Sequence, residues 1–189
     1  MAIPFFSQVL ASSRATGPTL ASSTTATSLL NSSDLVQIPV GYLQVGTKFR
    51  IHAYGSLSNV ATTPGTITLA VMYNSVAVWS TGAVQMATTA NSNVPFHLEA
   101  WIRCSGVGTG TSTTFIGGGL LSGLNVQLGS GVANGTVTDS CIVVPETAPA
   151  NGTGTTNAAS ANLDFFGTFS ISNAANSITI YNYSVEQLQ

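Results

Sequence analysis

The chain has 189 residues, of which four are Lys or Arg and six are Asp or Glu, for a formal net charge of −2. At 5% charged residues, against about 25% in ordinary soluble domains, it lacks the run of basic side chains that a phosphate-binding surface needs, which excludes nucleic acid as a partner. An apolar fraction of 44% excludes a disordered tract, and no stretch approaches the roughly twenty uninterrupted apolar residues of a membrane-spanning helix.

A chain of 19.3 kDa folded as one domain exposes roughly 8,500 Å². Ten charges then serve roughly 850 Å² each, close to the area that one partner buries in a standard interface. That leaves room for whole interface-sized patches free of charge, as expected of a part that sits among other copies or on another surface. The alternative, a monomeric β domain solvated by Ser, Thr and Asn, stays open at this point.

The opening Met1-Ala2-Ile3-Pro4-Phe5-Phe6 lacks the positive and long apolar regions of a secretory signal, so secretion by that route is not expected. Residues 1–25 join an apolar head (Ile3, Pro4, Phe5, Phe6, Val9, Leu10) to a Ser/Thr/Ala-rich stretch. They read as an extended N-terminal arm that docks on a neighbour, or as a frayed terminus. Residues 26–189 read as a single domain.

A first short strand is expected at Ala26–Leu30. From Thr47 to Ala53, Phe49, Ile51 and Ala53 alternate with Lys48, Arg50 and His52, the two-residue period of a half-buried strand. Thr66–Met72 and Val76–Ser80 flank Asn74-Ser75, which predicts a tight hairpin. From Pro95 to Cys104, Phe96, Leu98, Ala100, Ile102 and Cys104 oppose His97, Glu99, Trp101 and Arg103. Thr113–Leu121 and Gly135–Val144 are two further strands, and Pro145–Asn157 is a long loop. Ala161–Ser172 and Ser177–Glu186 form a last pair, with Leu163, Phe165, Phe169 and Ile171 on one apolar face and Asn173 and Asn176 in the turn. The sum is an all-β chain, a jelly-roll-like antiparallel β-sandwich of about eight strands.

Chemistry-bearing motifs are scarce. There is no nucleophile elbow, zinc-protease helix, phosphate-binding lysine loop or EF-hand ladder, so the chain is read as a non-enzyme without a cofactor. Gly106-Val107-Gly108-Thr109-Gly110 has no following Lys and reads as a loop. His52, His97 and Glu99 lie on matching strand faces; as neighbours they would bind Zn²⁺ or make a pH-sensitive contact, or else take part in a polar face of cross-strand pairs with Lys48, Arg50 and Arg103. Calcium at Asp139 or Asp164 is disfavoured because neither sits in an acidic cluster. Trp79, Trp101, Tyr181 and Tyr183 are either a sugar-stacking platform or packing residues. Cys104 and Cys141 read as two buried small apolar residues rather than a bridge.

Several segments together carry a resemblance: Val45-Gly46-Thr47-Lys48-Phe49-Arg50-Ile51-His52-Ala53-Tyr54-Gly55, Thr63-Pro64-Gly65-Thr66-Ile67-Thr68-Leu69, Phe96-His97-Leu98-Glu99-Ala100-Trp101-Ile102-Arg103-Cys104, the strand through Gly117-Gly118-Gly119, and an Asn-rich final hairpin ending Tyr183-Ser184-Val185-Glu186. Over most of residues 20–188 the pattern resembles small β-sandwich virion proteins of tailed bacteriophages. The resemblance implies a capsid decoration, or cement, protein: a homotrimer assembled in the host cytoplasm, seated on the capsid surface and stapling neighbouring copies of the major capsid protein. Phe5, Phe6 and Arg14 are then expected as anchors on the arm, and Lys48, Arg50, His97, Glu99 and Arg103 as an intersubunit surface. The alternative is the host-glycan-binding head of a tail fibre or capsid spike, using Trp79, Trp101 or Tyr183. A small-virus shell protein is disfavoured because a genome-packaging arm should be basic and residues 1–25 hold only Arg14.

Overall fold

Alternation along the long strands decides the architecture, because each presents one apolar face that has to be covered. The computed structural model describes residues 7–108, 113–123, 140–145, 152–153 and 160–188. In chain order their strands are β1 (Ser7–Ser12), β2 (Leu20–Ala21), β3 (Thr27–Ser28), β4 (Val36–Ile38), β5 (Lys48–Asn59), β6 (Thr66–Tyr73), β7 (Val76–Ser80), β8 (Val84–Gln85), β9 (Asn91–Val107), β10 (Thr113–Gly123), β11 (Ser140–Val144), β12 (Gly152–Thr153), β13 (Ala161–Phe169) and β14 (Ser177–Leu188).

They form two antiparallel sheets packed as a sandwich. The larger has the order β1-β14-β5-β9-β10-β11, with β2 on β14 and β12 on β10; the smaller has the order β3-β13-β6-β7, with β4 on β13 and β8 on β6. The many short strands raise the number above the expected eight without changing the layers.

The inward faces are those the sequence marks. Phe49, Ile51 and Ala53 of β5 and Leu98, Ala100, Ile102 and Cys104 of β9 are buried against Ile67, Leu69, Val71 and Tyr73 of β6 and Leu163, Phe165 and Phe169 of β13. Two aromatic pairs join the sheets: Tyr73 with Phe115 and Phe165 with Tyr183, each with ring centroids 5.7 Å apart. Asn74 and Ser75 both take positive φ, 49° and 67°, the mirror-image turn that matches strand twist, and β6 pairs with β7 as expected. On β10, glycine is required by close approach: a Cβ at Gly119 would lie 2.5 Å from the Glu99 carbonyl oxygen and 3.1 Å from Ala100 Cα.

Four expectations change. The final pair is not a hairpin, since β13 belongs to the smaller sheet and β14 to the larger. The connection crosses between sheets and is pinned by the buried Asn176, whose side-chain amide donates to the Pro64 carbonyl at 3.0 Å and accepts from Val60 N–H at 2.9 Å. The strand itself ends at Phe169, leaving Ile171 beyond it. From Ser7 onward the expected arm is built into the chain's own sheet: β1 runs antiparallel along β14, Ser7 opposite Leu188, and β2 pairs with β14 further along. Of the cysteines, Cys104 is buried but Cys141 is exposed, and both are free. The part of the expected Gly135–Val144 strand before Ser140, and most of the Pro145–Asn157 loop, lie outside the described residues.

Asp164 tests how burial is tolerated here. Its Oδ1 accepts from Ser28 Oγ at 2.8 Å and Phe165 N–H at 2.6 Å; burial still pushes the carboxyl above its ordinary value of 3.8, with those bonds opposing the shift. Across the core, burial and then the nearby Asp164 charge push the Tyr183 phenol well above its usual range. A carboxyl whose folded pKa is raised contributes stability that is fully present below its unfolded pKa and lost as pH rises through the folded one. Asp164→Asn, which keeps the acceptor oxygen, is therefore expected to raise Tm at neutral pH, with the gain shrinking as pH falls toward 3.8; thermal scans across pH measure it. Removing the inter-sheet ring in Phe165→Ala is expected to cost about 3–5 kcal/mol, and Gly119→Ala about 1–3 kcal/mol, both read by urea unfolding.

Candidate interaction face

Burying Phe49, Ile51 and Ala53 forces Lys48, Arg50 and His52 outward, and the same parity on β9 forces out His97, Glu99, Trp101 and Arg103. Because β5 and β9 are hydrogen-bonded neighbours, the two polar edges of the sequence become one surface. Register sets its rows. His52 stands opposite Glu99, Arg50 opposite Trp101, Tyr54 opposite His97 and Lys48 opposite Arg103. On the other side of β5, β14 places Glu186 opposite Arg50 and Leu188 opposite Lys48. Beyond β9, β10 adds Leu120 opposite Glu99 and Ile116 opposite Arg103, and β11 adds Val143 opposite Leu120.

The middle of this face gathers two carboxylates around one guanidinium. Arg50 Nη2 lies 3.0 Å from Glu186 Oε2, Arg50 Nε 3.8 Å from Glu99 Oε1, and His52 Nε2 3.6 Å from the same Glu99 oxygen. His52 and His97 stack with ring centroids 5.8 Å apart. Tyr54 and Tyr181 pair at 6.4 Å, and the Tyr181 hydroxyl hydrogen-bonds Ser56 Oγ at 2.8 Å.

Ten charged residues, less Asp139 and Glu146, which lie outside the described residues, leave eight; five of these (Lys48, Arg50, Glu99, Arg103, Glu186) project from this face. Six of the nine exposed large apolar residues among those described do so too: Val9, Tyr54, Trp101, Leu120, Val143 and Tyr181. The outward positions of the smaller sheet instead carry Thr68, Ala70, Met72, Phe166 and Thr168, with Asp164 their one charge.

The expected site residues thus separate. Arg50, His97 and Glu99 come together with His52, while Lys48 and Arg103 face each other at the end of the sheet, both exposed. Arg14 lies elsewhere, between β1 and β2; its backbone N–H approaches Asp34 Oδ1 at 3.4 Å and its side chain is exposed. Phe5 and Phe6 fall outside the described residues. Among the described residues no group of three or more His, Cys, Asp or Glu is placed to hold a metal ion; His52, His97 and Glu99 do meet, through the stacked imidazoles and the approach of His52 Nε2 to Glu99. Of the proposed sugar platform, Trp79 and Tyr183 are buried; Trp101 and Tyr181 remain exposed. Glu186, the nearest carboxylate to Arg50, joins this face without a sequence signal of its own. Its outward parity follows from Val185, but its place beside β5 depends on strand order.

A groove of about 630 Å³ at the far end of β5 and β9 is lined by Ser58, Asn59, Asn91, Asn93 and Ser177 with small apolar neighbours. It offers amides and hydroxyls and no titratable side chain. No protein-family model matches the chain, and no curated protein matches it.

Arg50→Met leaves Glu99 and Glu186 without their shared cation and is expected to lower stability by about 1 kcal/mol. Lys48→Met, which removes one member of a like-charged pair, is expected to be neutral or stabilising by up to about 0.5 kcal/mol. Urea titrations of both variants compare the two.

Proposed function

We propose that this chain is a non-enzymatic structural virion protein of a tailed bacteriophage. On this reading it decorates the capsid surface as a homotrimer and bridges neighbouring major capsid proteins. The observation that carries the proposal is the outer face of the larger sheet, which gathers five of the eight described charged residues and six of the nine exposed large apolar ones onto one side of a sandwich otherwise poor in charge. Such a face suits repeated contact with a regular surface, where many weak contacts add through avidity rather than through one deep pocket. The resemblance to small β-sandwich decoration proteins supports the same reading.

The exposed Tyr54 and Tyr181 pair favours a second reading, in which the same face stacks the sugars of a host glycan, as on a tail-fibre or spike head. Co-sedimentation separates the two. The purified chain mixed with empty expanded shells of its virus, made without it, is expected to pellet with them and saturate at a fixed number of copies per shell. Trp101→Ala, at a side chain 40% exposed, is expected to weaken that binding about tenfold or more with little change in Tm. Failure to pellet with shells, together with retention on host surface polysaccharide, would overturn the decoration reading in favour of the second.

A further inference from the structure

The outer face contains one electrostatic arrangement that folding alone disfavours. Lys48 and Arg103 are directly opposite across β5 and β9, both exposed, and like charges in that position repel. No carboxylate among the described residues answers them: Glu186 and Glu99 are engaged by Arg50 and His52, Asp164 is held by Ser28 on the other sheet, and Asp34 is buried. Half the basic residues of the chain therefore sit side by side with no compensating carboxylate among the described residues. The next row of the face holds Arg50, which is committed to Glu186, and the remaining neighbours are apolar: Trp101 is two residues from Arg103 on the same strand face and 40% exposed, Val45 is 68% exposed on the loop leading into β5, and Ile116 stands opposite Arg103.

We infer that Lys48 and Arg103 form a docking site for paired carboxylates on an extended acidic segment of a protein partner. Resting on the reading above, that partner is the shell protein. Charge complementarity selects this occupant. A polyanion such as nucleic acid is held by many cations at once, whereas this site has two cations on a chain of net charge −2. A second copy offers no unengaged carboxylate among its described residues. The guanidinium of Arg103 takes a carboxylate through two parallel N–H donors, Lys48 holds the next as a point charge, and Trp101 and Val45 cover the stem of the segment.

The test uses the full chain, labelled with ¹⁵N, and tetraglutamate as the probe, with tetraglutamine as the neutral control and a heparin tetrasaccharide as the sulfated one. Tetraglutamate is expected to shift the amide signals of Lys48, Trp101 and Arg103 saturably, to weaken as salt is raised, and to bind roughly tenfold less tightly to the Lys48→Ala/Arg103→Ala variant than to Arg14→Ala. Arg103→Glu supplies the missing opposite charge from within the chain; it is expected to raise Tm by about 1–3 °C while abolishing the response. No saturable shift, an equal response in the double variant, tighter binding of heparin, or a lower Tm for Arg103→Glu would each overturn the inference. Because the probe is a peptide, a positive result combined with failure to bind shells would overturn the decoration reading alone.

Discussion

Phe49, Ile51 and Ala53 on β5, and Leu98, Ala100 and Ile102 on β9, are buried almost completely against the smaller sheet, and the rest of the molecule is arranged around that burial. A two-residue period leaves no freedom once one face is committed, since a slip by one residue would drive Lys48, Arg50, Glu99 and Arg103 into the core. Each large side chain buried there contributes about 1.5–3 kcal/mol, far more than the ion pairs outside, which are individually worth about 1 kcal/mol or less. The charged ladder is therefore a consequence of the core and not its cause. Its ion pairs trim the register that the apolar faces have already fixed.

The same constraint explains why a chain with so few charges concentrates them. Outward positions on the smaller sheet are filled by Thr, Ala, Met and Phe, with Asp164 the one charge among them. On the larger sheet the central strands carry cations and anions in adjacent rows, with exposed aromatic and branched residues between them and toward the β11 edge. Apolar surface next to fixed charge gives both adhesion and orientation: the apolar part supplies contact area, and the charges reject mismatched partners. The proposed seat on a capsid uses both, and a repeating shell multiplies each contact.

Much of this was legible in the sequence because alternation is a local signal. The faces of β5 and β9 and the turn at Asn74-Ser75 could be read directly, since positive φ is tolerated by short polar residues. Strand order was not legible. That β5 would lie between β14 and β9 depends on which apolar faces meet in space, and so the partnership of Arg50 with Glu186 was invisible while that of His52 with Glu99 was only conditional. The connection after β13 misled for a related reason: its length suits a hairpin loop as well as a crossing between sheets, and the choice is made by the Asn176 side chain reaching Pro64 and Val60. At the N-terminus, Ser7-Gln8-Val9-Leu10-Ala11-Ser12 has no strong period, and β1 exists because β14 offers it a free edge.

The central claim is the proposed one, a trimer that leaves the outer face of its larger sheet free for another surface. Light scattering of the purified chain over a range of concentrations addresses it directly. A mass near three times 19.3 kDa, held on dilution and kept when Trp101 and Leu120 are replaced by Ser, is the result this account requires. A monomer at every concentration, or a trimer that falls apart on those substitutions, would contradict it.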